Sequence, residues 1–368
     1  MTQRRIRAVF MRGGTSRALF FHEHDLPPAG EARDRVLLSA LGSPDPYGRQ
    51  LDGLGGGISS LSKACIIGAS THPDADVDYT FAQVHVTQPV VDYSGNCGNC
   101  SSAVGPFAID EGFVPAREGE TLVRIHNTNT KKLIVAHVPV AGGQAVVAGD
   151  FELPGVPGRG ARIALDFLDP GGAGTGRLLP TGRPRDVVEG ATVSIVDATI
   201  PVVFVRAPDL GLTGSETPEE IDTNQPLMAR LEAIRVAGAA MIGLPRSAAT
   251  PKIAVVAPPP VAFMAIDGTA YGRQHTDLIA RVISMGNCHR AFALTAAMCL
   301  AVAAKIDGTV VRACALSPEA SDLRLGHPSG VLRIAAAVAT RGGDPWAERV
   351  TVYRTARRLM DGFVCIPA

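Results

Sequence analysis

The residues best suited to chemistry lie in one run, Asp92-Tyr93-Ser94-Gly95-Asn96-Cys97-Gly98-Asn99-Cys100-Ser101-Ser102-Ala103. Ahead of it, Tyr79 to Val91 reads as a strand whose apolar residues partly alternate with polar ones. Behind it, the small and apolar run Ala103 to Ile109 reads as a buried helix. The cysteines therefore sit where a strand turns into a helix. Unpaired backbone N–H groups and the helix dipole attract negative charge there. A thiol in that position tends toward a lowered pKa and can take part in proton transfer. The glycines allow a ligand carboxylate to approach the backbone closely. The loop is expected to hold a small carboxylate and move a proton on it.

A second chemical group is Lys63. It ends the Gly/Ser-rich run Asp52 to Ser62 and begins the apolar stretch Ala64-Cys65-Ile66-Ile67. Most lysines are solvated surface groups, but desolvation at this junction would favour the neutral amine. The run matches neither G-x-x-x-x-G-K-[ST] nor G-x-G-x-x-G, so a nucleotide loop is not indicated. Nearer the N-terminus, Met11-Arg12-Gly13-Gly14-Thr15-Ser16-Arg17 lies between two strand-like pieces. It reads either as a hairpin with a Gly-Gly turn or, in addition, as an anion nest.

Other chemistries fit less well. Cys97 and Cys100 form C-x-x-C, but zinc would need a second ligand pair nearby, and a thioredoxin-like pair would need a βαβ context. Cys65, Cys299, Cys314 and Cys365 lie in apolar runs and read as packed thiols. Of nine histidines, only His289 and His327 fall in loops that look ligand-facing. No metal and no cofactor is expected.

These groups need a scaffold. Glu31 to Leu41 reads as a helix stopped by Gly42-Ser43-Pro44. Thr121 to Val205 reads as short strands broken by Gly and Pro, and Pro218 to Leu244 as helical. The turn cluster Leu179-Pro180-Thr181-Gly182-Arg183-Pro184 suits a domain crossing. The expected domains are therefore 1–184 and 185–352, with 353–368 a candidate to complete the first. The chain also echoes itself. Leu61-Ser62-Lys63 reappears as Thr250-Pro251-Lys252, and Gly98-Asn99-Cys100 as Gly286-Asn287-Cys288, followed by a small-residue helix from His289 to Lys305. Two homologous halves follow, each with strands around a buried helix, and their helix N-termini are expected to face across a ligand cleft. In this register Met285 matches Cys97, so the second half lacks the thiol, which argues against a symmetric two-thiol racemase.

Composition sets bounds. Lys plus Arg and Asp plus Glu balance at 35 each, so neither nucleic acid nor a membrane surface is an expected partner. The basic N-terminus is followed by no long apolar run, and the apolar stretch Ala291 to Ala304 is too short to span a bilayer. Seven scattered cysteines fit reduced thiols in the cytoplasm.

The motifs together resemble the PrpF family of methylaconitate, methylitaconate and oxalomesaconate isomerases and tautomerases. The resemblance runs through Met11 to Ser16, Gly42-Ser43-Pro44-Asp45, Asp52-Gly53 to Ser62-Lys63, and Ser94 to Asn99. It continues in Leu179 to Gly182, Ser284-Met285-Gly286 with His289, and Gly326-His327-Pro328-Ser329-Gly330. It implies an α+β, diaminopimelate-epimerase-like fold: two pseudo-symmetric domains, each a curved sheet around a central helix, with the active site in the cleft between them. It also implies cofactor-independent proton transfer with Lys63 and Cys97 as the catalytic pair, either one being base or acid. Arg12, Gly14, Thr15, Ser16, Ser60, Asn96, Gly98, Asn99, Thr181, Ser284, Met285, Gly286, His289 and Ser329 would bind substrate. The implied ligand is a small anionic polycarboxylate, and a homodimer is left open. The rival readings are an oxalomesaconate tautomerase and a non-catalytic accessory protein of an aconitase-like enzyme. Arg17, where many relatives carry Lys, and Cys100-Ser101-Ser102 depart from the pattern and bear on substrate identity.

Overall fold

The structure is a computed structural model that describes residues 3–245, 247 and 250–367. The chain forms two compact units, residues 1–167 with 353–368, and residues 168–352. The segment 179–184 lies inside the second unit.

In the first unit, β1 (Gln3–Gly13) and β2 (Ser16–His22) form an antiparallel hairpin. Its loop is Gly14-Thr15, with Gly14 at φ 53°, and not the Gly-Gly pair that the sequence suggests. Strand β3 (Lys63–Ala69) adds parallel to β2, and β4 (Val77–Val84) adds antiparallel to β3. Then β5 (Gly119–Asn127) joins β4 in parallel, and β6 (Lys132–Ala141) joins β5 antiparallel. The C-terminal strand Ala356–Pro367 returns to pair with β1 along its whole length.

A helix packs on each face of this sheet. Helix α1 (Glu31–Leu41) ends at Gly42 in the left-handed conformation, as the Gly-Ser-Pro stop signal predicts. It shares a core with Leu19, Phe21, Ala64, Ile66, Ala82 and Val84. Strand side chains alternate between faces, so the intervening residues must point the other way. They meet helix α2 (Gly98–Asp110), buried from Cys100 to Ile109; Phe20 packs on Phe107 with ring centroids 5.5 Å apart. Burying a side chain such as Phe107 contributes on the order of 2–3 kcal/mol. Gly105 lets the helix come close to β6, because a Cβ there would lie 2.7 Å from Val138 Cγ2. The helix starts five residues before the sequence-based Ala103, since small polar residues can form a first turn when the turn packs.

The second unit repeats the plan. Strands β7 (Ala191–Ala198) and β8 (Ile200–Arg206) form a hairpin, and β9 (Lys252–Ala257) joins β8 in parallel. Next, β10 (Leu278–Ser284) pairs antiparallel with β9, β11 (Asp322–His327) parallel with β10, and β12 (Gly330–Arg341) antiparallel with β11. The succession of antiparallel and parallel pairings matches that of β1 to β6. The helical stretch Pro218 to Leu244 is two helices, α3 (Pro218–Thr223) and α4 (Gln225–Met241); Asn224 interrupts it and caps the second through its side chain. Both supply Ile221, Leu227, Leu231 and Ile234 to a core with Ile195, Val203, Ile253, Val255, Ile279 and Ile283. Helix α5 (Leu294–Lys305) is buried from Ala296 to Ala304, and starts at Leu294 and not at His289. No helix among the described residues is long and apolar enough to cross a membrane.

Candidate active site

Alternation on β2, β3 and β4 brings the chemical groups to the α2 face of the first sheet. Ile66 and Ala64 belong to the α1 core, so Lys63 and Cys65 face α2. By the same rule Tyr79, Phe81 and Gln83 on β4, and Ser16 on β2, point there. Lys63 is 8% exposed. Its Nζ donates to Gln83 Oε1 at 2.5 Å, directly across the β3–β4 pair, and lies 4.9 Å from the Phe81 ring centroid. Gln83 is aimed in turn, since its Nε2 donates to the carbonyls of Ser59 and Ser62. No described carboxylate pairs with Lys63.

The Gly-Ser-Pro-Asp and Gly/Ser-rich motifs hold the residue that precedes that lysine. Asp45 accepts from the backbone N–H groups of Tyr47, Arg49 and Gln50. The buried Gln50 donates to Ser43 Oγ at 2.8 Å and to Ser62 Oγ at 2.6 Å, and Ser62 donates to the Val84 carbonyl. Ser60 lies in the single turn Ser59–Leu61 just before Lys63.

Cys97 is the N-cap residue of α2 and is half-buried; its side chain caps nothing. Its Sγ is 4.0 Å from Ser16 Oγ. The thiol is pushed well up from its ordinary range by its hydrogen bond with Cys100 and by burial, while the charge of Lys63 pulls it down. Helix position alone suggests the opposite direction, so the neighbouring thiol and desolvation outweigh the helix N-terminus here. Cys97 is therefore a protonated thiol at neutral pH. Beneath it lie Cys100, Cys65 and the buried Tyr79, whose hydroxyl is 4.0 Å from Cys65 Sγ.

The hairpin loop closes on the same helix end. Thr15 N–H donates to Asn99 Oδ1 at 3.4 Å, and Arg12 Nη1 donates to the carbonyls of Gly14 and Thr355, each at 2.9 Å. A Cβ on Gly13 would lie 2.5 Å from the Asn99 carbonyl oxygen, and one on Gly14 would lie 2.3 Å from Asn99 Oδ1. Asn96 Oδ1 accepts from the Ser101 hydroxyl at 3.3 Å. Gly98 opens the helix, so the N–H groups of Gly98, Asn99 and Cys100 form its first turn. Lys63, Cys97, Ser16, Gly14, Thr15 and Asn99 are thus together. Arg17 points to the opposite face, its guanidinium 4.8 Å from the Phe10 ring centroid.

In the second unit, Lys252 Nζ donates to Ser284 Oγ at 2.7 Å. Met285 and Gly286 make the turn that follows, at φ 55° and 82°. His289 Nδ1 accepts from Ala291 N–H, and burial, with the charge of Lys252, holds the imidazole below its ordinary pKa. Ser329 donates to the Arg290 carbonyl at 2.5 Å. Thr181 is tied to Asp186 at 2.7 Å. The match of Met285 with Cys97 needs correcting. Gly98-Asn99-Cys100 is the first turn of α2, whereas Asn287-Cys288 is a short strand; the N-cap residue of α5 is Ala293. That position too carries no thiol.

Sequence reasoning missed Gln83, Phe81 and Arg354. The first two could have been found by pairing β3 with β4 and counting residues on one face. Arg354, whose Nε donates to Asn99 Oδ1 at 3.1 Å, is 255 residues from its partner and leaves no local signal.

Comparison with known proteins accords with this geometry. The family model described as PrpF protein matches residues 3–367. The chain is 46% identical to the 3-methylitaconate isomerase of Eubacterium barkeri, over 99% of this chain and 98% of that one. It is 42% identical to the 2-methyl-aconitate isomerase of Shewanella oneidensis, over 99% and 98%. The crystal structure of a methylitaconate-delta-isomerase superposes with a TM-score of 0.92 at 45% identity, covering 100% of this chain and 96% of that one.

Proposed function

From the premise that this chain belongs to the PrpF family, we propose that it is an isomerase of small unsaturated di- or tricarboxylates that moves a proton without a cofactor. The observation that carries this reading is the meeting of Lys63 and Cys97 on one face of the first sheet, beside the first turn of a buried helix. Similarity to named isomerases over nearly the whole chain supports the reaction class.

The substrate carries a C–H acidified by a conjugated carboxylate. Lys63 acts as the base: its Nζ takes that proton, and the C–H electron pair spreads into a dienolate. The N–H groups of the α2 first turn are placed to stabilise the developing negative charge. Cys97 holds its proton at rest, so it serves as the acid: its S–H bond breaks, a C–H bond forms, and the sulfur keeps the electron pair as thiolate. Delivery two carbons away shifts the double bond. Delivery to the original carbon after rotation inverts it. Proton return from the Lys63 ammonium to the thiolate resets the pair.

The test is proton NMR in D₂O with methylitaconate, methylaconitate, aconitate and oxalomesaconate isomers. Deuterium entering one compound as its double bond moves or inverts would establish the reaction and name the substrate. Turnover of oxalomesaconate alone would assign a tautomerase. A panel left fully protonated would overturn the isomerase reading in favour of an accessory, binding role.

A further inference from the structure

Arg354 is a buried cation, 5% exposed, in the segment that returns from the second unit to the first. Its Nε donates to Asn99 Oδ1 at 3.1 Å and its Nη1 to the Tyr353 carbonyl at 2.8 Å. Among the described residues it has no carboxylate partner. The buried Arg33 and Arg235 differ, being paired with Glu23 and Glu232. A buried charge without an anion is costly, and such a site favours any negative charge formed beside it.

One such charge forms on the residue that begins the helix Arg354 holds. Asn99 is the second residue of the helix that Cys97 begins, and its carboxamide oxygen accepts from both Arg354 Nε and Thr15 N–H. The local packing depends on glycine: a Cβ on Gly14 would lie 2.3 Å from Asn99 Oδ1 and 3.1 Å from Arg354 Cδ. Burial draws Arg354 down to about 10, and a negative Cys97 is the group that opposes that fall.

We propose that Arg354 is a positioning residue for proton transfer: through Asn99 it fixes the first turn of α2, and its charge supports the Cys97 thiolate formed in turnover. This rests on Cys97 as the proton donor. The groups facing Cys97 are Ser16 from β2, Lys63 from β3, Tyr79 from β4, Cys100 from its own helix and Arg354 from the returning segment. Arg354 supplies a charge that stays.

The test needs no substrate. The pH dependence of Cys97 alkylation by iodoacetamide, read by peptide mass in a Cys365→Ser background, reports how readily the thiolate forms. Arg354→Gln, which keeps a donor but loses the charge, should raise the pH of half-maximal labelling by a unit or more. Arg354→Lys, with its charge on a shorter arm, should raise it by less, and should recover part of the kcat that Arg354→Gln loses at little change in KM. A folded Arg354→Gln protein with the wild-type labelling profile would overturn the proposal, as would equal shifts in the two variants. If Arg354→Gln does not fold, Arg354→Met, an apolar side chain of similar length, takes its place, and a wild-type labelling profile in it overturns the proposal. Because labelling is read without turnover, a shifted profile in a protein that exchanges no substrate hydrogen would sink the isomerase reading and leave the Arg354–Cys97 coupling standing.

Discussion

Lys63 and Lys252 hold one position in two copies of the same sheet. Each opens a strand, and each donates its Nζ to a side chain on the antiparallel neighbour, Gln83 at 2.5 Å and Ser284 at 2.7 Å. The difference lies at the following helix, which begins at Cys97 in one unit and at Ala293 in the other. Proton transfer should therefore belong to the first lysine alone. Lys63→Ala is expected to abolish substrate deuterium exchange, by about 10³-fold or more on the scale of lost general-base catalysis and positioning. Lys252→Met should retain exchange. NMR exchange rates on both variants check this, with circular dichroism to confirm folding; wild-type exchange in Lys63→Ala would remove the base assignment.

Cys97→Ser should keep the fold and slow turnover by about 10²- to 10⁴-fold, because a hydroxyl gives up its proton far less readily than a thiol. Steady-state kcat is the measurement. A variant as fast as wild type would place the acid elsewhere.

The Gly14-Thr15 loop gives a third outcome. Gly14 sits at φ 53°, and an added Cβ would meet Asn99 Oδ1 at 2.3 Å. Gly14→Ala should cost about 1–3 kcal/mol of stability through backbone strain and displacement of Asn99. It should also lower kcat, as the helix turn carrying Cys97 shifts. Thermal melting and turnover on the same preparation would show both losses, whereas Gly95→Ala, where a Cβ meets nothing within 4 Å, should show neither steric effect.

The buried thiols set an alkaline limit. Cys288 is pushed up to about 12 by burial. Below its unfolded value near 9, both states hold the proton; between 9 and 12 the unfolded chain releases it and the folded chain keeps it. Protonation thus favours the folded state, and this contribution is lost as pH rises, at roughly 1.4 kcal/mol per unit. Urea unfolding between pH 8.5 and 10.5 should show the decline, and Cys288→Ala should make it shallower. An identical slope in the variant would rule Cys288 out as its source.

What the sequence makes legible is what local chemistry decides. Gly42 stops α1 because only the left-handed residue after a helix needs glycine, and Lys63 stands out as a charge at the head of an apolar strand. The split at Asn224 was hidden because the apolar period continues across it and only a cap hydrogen bond marks the new start. The Gly-Asn-Cys echo misled for a related reason: three residues do not carry their own conformation, and a turn at Met285-Gly286 makes the second copy a strand. Arg354 was beyond reach, since its environment comes from chain segments hundreds of residues away. The thiol's raised pKa likewise depends on packing against Cys100 that no spacing rule reveals.

The chain order of the first unit has a consequence for biosynthesis. Its sheet needs the strand Ala356–Pro367 along β1, and its helix end needs Arg354 against Asn99, yet the whole second unit is translated before either. On the ribosome, residues 168–352 can complete their own sheet as they emerge, while 1–167 must wait with β1 lacking one partner. An exposed β1 edge is the sticky intermediate of this chain. Nascent chains halted near residue 350 should accordingly be the species that chaperones hold and proteases cut within β1, and the thiol centre is assembled only after the C-terminal strand has left the ribosome.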